Sequence, residues 1–197
     1  MILRRYLLGL SLAFTSLGFA QAQTAAPQVK FTTTAGEFVI ELYPDKAPNT
    51  VENFLSYVRD GHYNGLIFHR VINNFMIQGG GYDARYMEKP TRPPIKHEGA
   101  EVKAKGGPTN TVGTIAMART NNPHSASSQF FINVNNNDFL NHSAPSGQGW
   151  GYVAFGKVIS GMEVVNKIKL TPTGAGGPFP SDVPQTQVVI QSAALVK

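Results

Sequence analysis

The sequence predicts a mainly β protein, a closed antiparallel barrel of eight strands with two capping α-helices. Eight short segments alternate apolar and polar residues with period two, which is typical of half-buried strands. Only two segments show helical spacing, and they do not recur as crossovers between strands, as helices of a parallel α/β sheet would. A closed barrel leaves no strand edge exposed. The 197 residues, 42% of them hydrophobic, suffice for one such domain.

The elements follow from local patterns along the chain. The first two strands, 29–34 and 37–43, flank Ala35-Gly36 and are predicted to form a hairpin. Six further strands are predicted at 66–72, 75–79, 113–118, 129–134, 152–159 and 186–196.

Two helices are predicted, at 47–61 and 161–169. In the first, Asn49 is the expected N-cap and Glu52 completes a capping box. The stretches 82–110 and 171–185 are rich in proline and glycine and are predicted to be long loops. Loops of such length in a compact domain are usually functional or mobile.

The first 22 residues are typical of a secretory signal peptide. Arg4 and Arg5 precede a short apolar run, and Ala20-Gln21-Ala22 fits a cleavage site. The run is too short and too diluted by polar residues for a membrane span, which needs about 20 apolar residues. We therefore expect cleavage after Ala22, a flexible lead-in at 23–28, a domain at 29–197, and a periplasmic protein without membrane attachment after signal removal.

Composition excludes several classes of chemistry. The chain has no cysteine, which rules out disulfides, thiol catalysis and cysteine-ligated zinc. The formal charge of +5 is small and unclustered, so nucleic-acid binding is not expected. We also expect neither metal nor cofactor, because the histidines lack HExxH spacing and a carboxylate grouping; these are His62, His97, His124 and His142.

Two segments place polar and apolar side chains together. The segment FHRVINNFMIQGGG at 68–81 contains Arg70, Met76 and Gln78, and strand alternation puts the last two on one face. In SQFFINV, the same alternation puts Gln129 and Phe131 on one face and the residue between them on the other. An arginine and an amide are therefore predicted beside apolar groups.

Five blocks carry a resemblance to a known family. FHRVINNFMIQGGG, GTIAMAR, SQFFINV, NDFL and FGKV, in this order and spacing, resemble the cyclophilin family of peptidyl-prolyl cis-trans isomerases, most closely its Gram-negative periplasmic branch. The resemblance covers 29–197. It implies an eight-stranded barrel with a surface groove that grips an extended X-Pro segment.

The resemblance also implies roles for individual residues. Arg70 would be the catalytic residue, Gln78 would help to orient the substrate, and the backbone of Arg119 would hold the carbonyl before the proline. The proline pocket would consist of Phe75, Met76, Phe131 and Leu140. The remaining substrate-binding residues would be Ala118, Thr120, Gln129, Phe139 and Tyr152.

Two positions depart from the best-known eukaryotic members. Phe139 stands where they carry a tryptophan, and Tyr152 stands where they carry a histidine. The phenylalanine lacks an indole N–H, so we expect isomerase activity to be kept and binding of the cyclic peptide drug cyclosporin to be weak.

The predicted function is isomerisation of X-Pro bonds in proline-containing unfolded or flexible polypeptides by a monomer. A binding module of the same shape is the alternative: a chaperone or adaptor that captures proline segments with little turnover. A hollow, lipocalin-type ligand barrel is a third alternative, but the bulky residues on the strands predict a filled interior.

Overall fold

The computed structural model describes residues 25–196, and the predicted signal peptide at 1–22 lies outside this range. Ten strands and three α-helices occur in the described range. The strands are β1 (Gln28–Thr33), β2 (Gly36–Leu42), β3 (Leu66–Ile72), β4 (Met76–Asp83), β5 (Thr114–Met117), β6 (Phe130–Asn133), β7 (Ala154–Ser160), β8 (Thr173–Gly176), β9 (Phe179–Pro184) and β10 (Ile190–Leu195). The helices are α1 (Pro48–Arg59), α2 (Gly99–Ala104) and α3 (Met162–Lys169).

Eight of the strands form one antiparallel sheet that curls into a nearly closed barrel. Its order is β10-β1-β2-β7-β5-β6-β4-β3. The two edge strands meet through the segment that leads into β10, where the Phe68 amide donates to the Val188 carbonyl at 3.0 Å and the Gly65 amide to the Ile190 carbonyl at 2.8 Å. The predicted eight-stranded antiparallel barrel is confirmed.

The barrel interior is filled with aromatic and branched side chains. Phe54 of α1 covers one end and contacts Phe130 edge-to-face, with ring centroids 5.9 Å apart. Phe31 and Phe38 stack at 5.0 Å from neighbouring strands of the first hairpin. All four side chains are at most 1% exposed. This packing leaves no room for the enclosed ligand of a lipocalin-type barrel.

The structure differs from the prediction in both long loops. The predicted loop at 82–110 contains α2, so the described chain has three helices where two were expected. The predicted loop at 171–185 contains the hairpin of β8 and β9. Half of the residues of β8 are glycine and a third of those of β9 are proline, so neither strand shows the alternation of apolar and polar residues that predicts a strand. In addition, β7 begins at Ala154 and β10 at Ile190, later than predicted.

The predicted cap of α1 is wrong. The N-cap is Ala47, and Asn49 lies inside the helix. The free amides of the first turn donate instead to the buried carboxylate of Glu98, at 3.0 Å from Asn49 and 2.8 Å from Thr50. Both side chains donate to the same carboxylate. A residue distant in sequence therefore supplies the cap. Among the described residues, no helix is both long and apolar enough to cross a membrane.

Candidate active site

The backbone register aligns one row of residues across five strands of the barrel. Arg70 on β3 lies opposite Gln78 on β4, which lies opposite Phe131 on β6. The row continues through Ala116 on β5 to Ala154 on β7. Paired residues in a sheet share a face, so the arginine, the amide and the apolar side chains lie together on the outer face of the barrel.

The apolar members of this face form a cluster separate from the barrel interior. Its buried residues are Met76, Ala116, Phe131, Leu140 and Ala154, and Phe75 and Tyr152 pack against it. Their chain neighbours Ile77 and Phe130 belong to the interior core instead. The two-face assignment made from alternation is therefore confirmed, with Phe131 outside and Phe130 inside.

Most of the predicted site residues line one open cavity of about 270 Å³. They are Arg70, Phe75, Met76, Gln78, Ala118, Arg119, Phe131, Leu140 and Tyr152. Met76 and Phe131, 2% and 4% exposed, form an apolar floor, whereas the side chain of Arg70 is 44% exposed at the rim. The cavity thus combines a desolvated apolar surface with a charged donor.

The other three predicted residues line adjoining cavities. Thr120 and Gln129 border one that also includes Gln78, Ala118 and Arg119. Phe139 borders another, which shares Leu140 and Tyr152 with the central cavity. The predicted set therefore forms one continuous groove, with the central cavity in its middle.

The polar groups of the groove are held by their neighbours. The Gln78 amide donates to Gln129 Oε1 at 3.0 Å. The Arg119 side chain donates to the Gly151 carbonyl at 2.9 Å and lies over the Tyr152 ring, 4.5 Å from its centroid. Within the described range, the backbone amide and carbonyl of Arg119 pair with no other residue. Both groups are available to a bound peptide.

Two aromatic contacts shape the ends of the apolar floor. Tyr152 meets Phe131 edge-to-face at 5.5 Å. Phe139 stacks on Phe75 at 5.8 Å and is 72% exposed. The exposed ring of Phe139 extends the apolar surface beyond the pocket toward solvent.

Asp182, which the sequence did not indicate, lies beside the groove next to Arg70. Its Oδ2 lies 3.7 Å from Arg70 Nε. It belongs to β9, in the segment predicted to be a loop, and no motif joins it to Arg70 in the sequence. Only the position of the hairpin beside β3 brings the two charges together.

Three histidines are buried without a carboxylate partner. The pKa values of His62, His69 and His97 are lowered to about 4, chiefly because burial disfavours the charged ring. His69 is 3% exposed and packs against Phe179 and Tyr82. Among residues 25–196, no three histidine or acidic side chains are grouped so that they could hold a metal ion.

These histidines predict a loss of stability in mild acid. An unfolded histidine binds its proton near pH 6.5, whereas the folded ring does so only near pH 4, so the free energy of unfolding falls as pH drops from about 6.5 toward 4. At pH 5 the loss relative to pH 8 is about 2 kcal/mol for His69, the most deeply buried of the three.

The measurement is urea unfolding of the wild type and of His69→Phe at pH 8 and pH 5. The aromatic replacement cannot take a proton, so the variant should lose about 2 kcal/mol less than the wild type between the two conditions. An equal loss in both proteins would contradict the assignment to His69.

The barrel is therefore filled and carries an open groove on its outer face. The groove offers the unpaired backbone amide and carbonyl of Arg119, an apolar floor and a charged donor at its rim. It has the shape and chemistry for a proline-containing segment.

Comparisons with known proteins give the family. The family model described as cyclophilin type peptidyl-prolyl cis-trans isomerase matches residues 28–195. Peptidyl-prolyl cis-trans isomerase B of Escherichia coli is 54% identical over 167 residues, which cover 85% of this chain and 98% of that protein. Peptidyl-prolyl cis-trans isomerase A of Dickeya dadantii is 47% identical over 186 residues, covering 94% and 93% of the two chains.

A solved structure supports the same assignment. A cyclophilin-type isomerase of Cryptosporidium parvum, determined in the presence of the dipeptide Ala-Pro, has a TM-score of 0.64 and 25% identity. The match covers 86% of this chain and 99% of that one. The chain belongs to the cyclophilin-type peptidyl-prolyl cis-trans isomerases, and the family resemblance identified from its motifs is confirmed.

Proposed function

We propose that the protein isomerises X-Pro bonds of unfolded or flexible polypeptides by stabilising the twisted amide non-covalently, with Arg70 as the catalytic residue. One observation carries the proposal: the guanidinium of Arg70 and the apolar floor line the same cavity. The proline ring would occupy the notch over Met76 and Phe131, which places its nitrogen near the arginine.

The chemical task is to break amide resonance. The barrier to rotation is about 18–20 kcal/mol, and the uncatalysed step takes tens to hundreds of seconds. In the twisted state the proline nitrogen becomes pyramidal and regains a lone pair, which accepts a hydrogen bond that the planar amide does not. A donor at that position stabilises the transition state more than the ground state, which is the condition for catalysis.

Arginine suits this task because it keeps its proton and donates from a rigid planar group. Each 1.36 kcal/mol removed from the barrier raises the rate tenfold, so roughly 7 kcal/mol would give about a 10⁵-fold acceleration. The apolar floor excludes water from one side of the reacting bond, and a charged donor acts more strongly in such an environment.

The remaining polar groups would fix the peptide rather than act on the bond. The unpaired backbone of Arg119 would hold the carbonyl before the proline, so that rotation occurs about a fixed end. Gln78 would orient the substrate, and its hydrogen bond to Gln129 limits its own rotation. Immobilising one end of the bond also lowers the entropy cost of reaching the twisted state.

The test is isomer exchange of a short Ala-Pro peptide, followed by NMR with the wild type and with Arg70→Ala. An isomerase exchanges the cis and trans signals at substoichiometric amounts, and we expect the substitution to abolish most of this exchange. A binding module with little turnover would broaden the signals without exchanging them and would be indifferent to Arg70→Ala. The second outcome would refute the proposal.

Weak cyclosporin binding is part of the proposal. Phe139 offers an exposed aromatic face but no N–H donor. A Phe139→Trp variant should therefore bind cyclosporin at least about tenfold more tightly than the wild type, which corresponds to about 1.4 kcal/mol. Titration of both proteins by calorimetry measures the difference. Tight binding by the wild type, or no gain in the variant, would contradict this assignment.

We further propose that the mature protein works as a monomeric folding catalyst in the periplasm. The compartment rests on the signal-like segment at 1–22. N-terminal sequencing of the exported protein should find Gln23 first, and a protein that begins at Met1 would contradict the cleavage.

A further inference from the structure

The hairpin of β8 and β9 is fixed to the barrel beside the groove. Phe179 of β9 stacks on His69 at 5.4 Å and meets Tyr82 edge-to-face at 5.1 Å. At its turn, a Cβ atom on Gly177 would lie 2.3 Å from the Tyr86 ring, so the backbone itself packs on that ring. The hairpin therefore has a defined position relative to β3, which carries Arg70.

Asp182 lies at an irregular point of this hairpin. Gly174 pairs with Val183 and Gly176 with Phe179, so β9 carries extra residues between the two pairs, which form a bulge. Within the bulge, Asp182 has φ of +66°, a left-handed conformation that residues other than glycine adopt at an energetic cost. Bulges of this kind redirect a side chain.

The redirected carboxylate faces Arg70. Asp182 Oδ2 lies 3.7 Å from Arg70 Nε, and no other described carboxylate lies within 4 Å of the guanidinium. Within residues 25–196, Arg70 has this ion pair as its one described polar side-chain contact and donates no side-chain hydrogen bond, so its terminal amino groups are free to meet a substrate. Both partners are partly exposed, so the pair contributes little to the free energy of folding. Folding stability therefore does not explain the strained backbone conformation of Asp182.

We propose that Asp182 is a positioning residue for the isomerisation: its carboxylate holds the Nε side of Arg70 and directs the terminal amino groups to the proline nitrogen. The inference rests on the proposed catalytic role of Arg70. Loss of the carboxylate leaves the guanidinium charged but free to leave the reactive orientation. The rate of the turnover step should therefore fall, whereas the affinity of the apolar floor for the peptide should not change.

The matched substitution is Asp182→Asn, since asparagine tolerates a positive φ as aspartate does and removes only the charge. We expect kcat for an Ala-Pro peptide to fall at least about fivefold with KM within about twofold, as for a misoriented catalytic group. The Nε–Hε resonance of Arg70 in the ¹⁵N NMR spectrum should shift. The control is Asp60→Asn, which removes a similar exposed carboxylate from Arg92, away from the groove, and should leave kcat and the Arg70 resonance unchanged.

A double-mutant cycle separates this proposal from the one on which it rests. If Asp182 acts through Arg70, Asp182→Asn has no effect in the Arg70→Ala background. An unchanged or raised kcat in Asp182→Asn, or an equal loss in both backgrounds, would overturn the positioning role. Full activity of Arg70→Ala alone would instead overturn the proposed function.

Discussion

Replacing Arg70 by alanine should lower kcat/KM for an Ala-Pro peptide by about 10²–10³-fold, the usual cost of removing one donor that acts on the transition state. The central cavity, which would hold the proline ring, is left intact, because other residues form its apolar floor. Folding should be almost unaffected, since the side chain is 44% exposed and its one described ion pair lies at the surface. The measurement is the rate of catalysed isomer exchange, together with urea unfolding of each variant.

Two further variants test why arginine is needed. Arg70→Lys keeps the charge but loses the planar fork, so it should recover only a small part of the lost activity. Arg59→Ala removes another partly exposed, ion-paired arginine, on α1, and should leave the rate unchanged. If kcat/KM of Arg70→Ala lay within about fivefold of the wild-type value, the guanidinium would not supply the expected stabilisation of the transition state. Removal of such a donor is expected to lower the rate far more than this.

The largest effect on stability is expected at Glu98. Its carboxylate is 5% exposed and accepts hydrogen bonds from the amides and side chains of Asn49 and Thr50. Glu98→Ala removes the acceptor and leaves the buried donors of Thr50 and the more exposed donors of Asn49 without it at the start of α1. We expect the free energy of unfolding to fall by about 3 kcal/mol, because each unsatisfied buried group costs about 1–3 kcal/mol and water replaces part of the loss.

Urea unfolding measures this change, with Glu101→Ala on α2 as the control. Glu101 is exposed, so its replacement should stay within about 0.5 kcal/mol of the wild type. The free energy of unfolding of Glu98→Gln should lie between those of Glu98→Ala and Glu101→Ala, since glutamine keeps one oxygen acceptor. Isomerase activity of the folded Glu98 variants should be retained, because Glu98 lies outside the groove cavities. A loss below about 1 kcal/mol in Glu98→Ala would contradict the capping role.

The sequence predicted those parts of the fold that depend on local alternation. In β6, for example, strand alternation alone puts Phe131 and Phe130 on opposite faces. Helix α2 has only six residues, too few for a helical period to appear. The α1 cap was mispredicted because Glu98 reaches Thr50 across 48 positions.

For the groove, the sequence predicted which side chains share a strand face but not what those side chains do. Alternation placed Met76 and Gln78 on one face of their strand and Phe131 on the face opposite to Phe130, but their roles came from the family resemblance. Asp182 could not be predicted, because its strand reads as a proline-rich loop and its partner Arg70 lies on a distant strand. Contacts that arise only when a hairpin docks leave no periodic signal in the sequence.

The central claim is that Arg70 stabilises the twisted amide and not the bound peptide. The most direct measurement compares the affinity for an Ala-Pro peptide with the rate of isomer exchange on the enzyme, both by NMR, for the wild type and Arg70→Gln. For Arg70→Gln we predict a dissociation constant within about threefold of the wild-type value and an on-enzyme exchange rate at least about a hundredfold lower than that of the wild type. Exchange at the wild-type rate, or a loss of affinity as large as the loss of exchange, would contradict the claim.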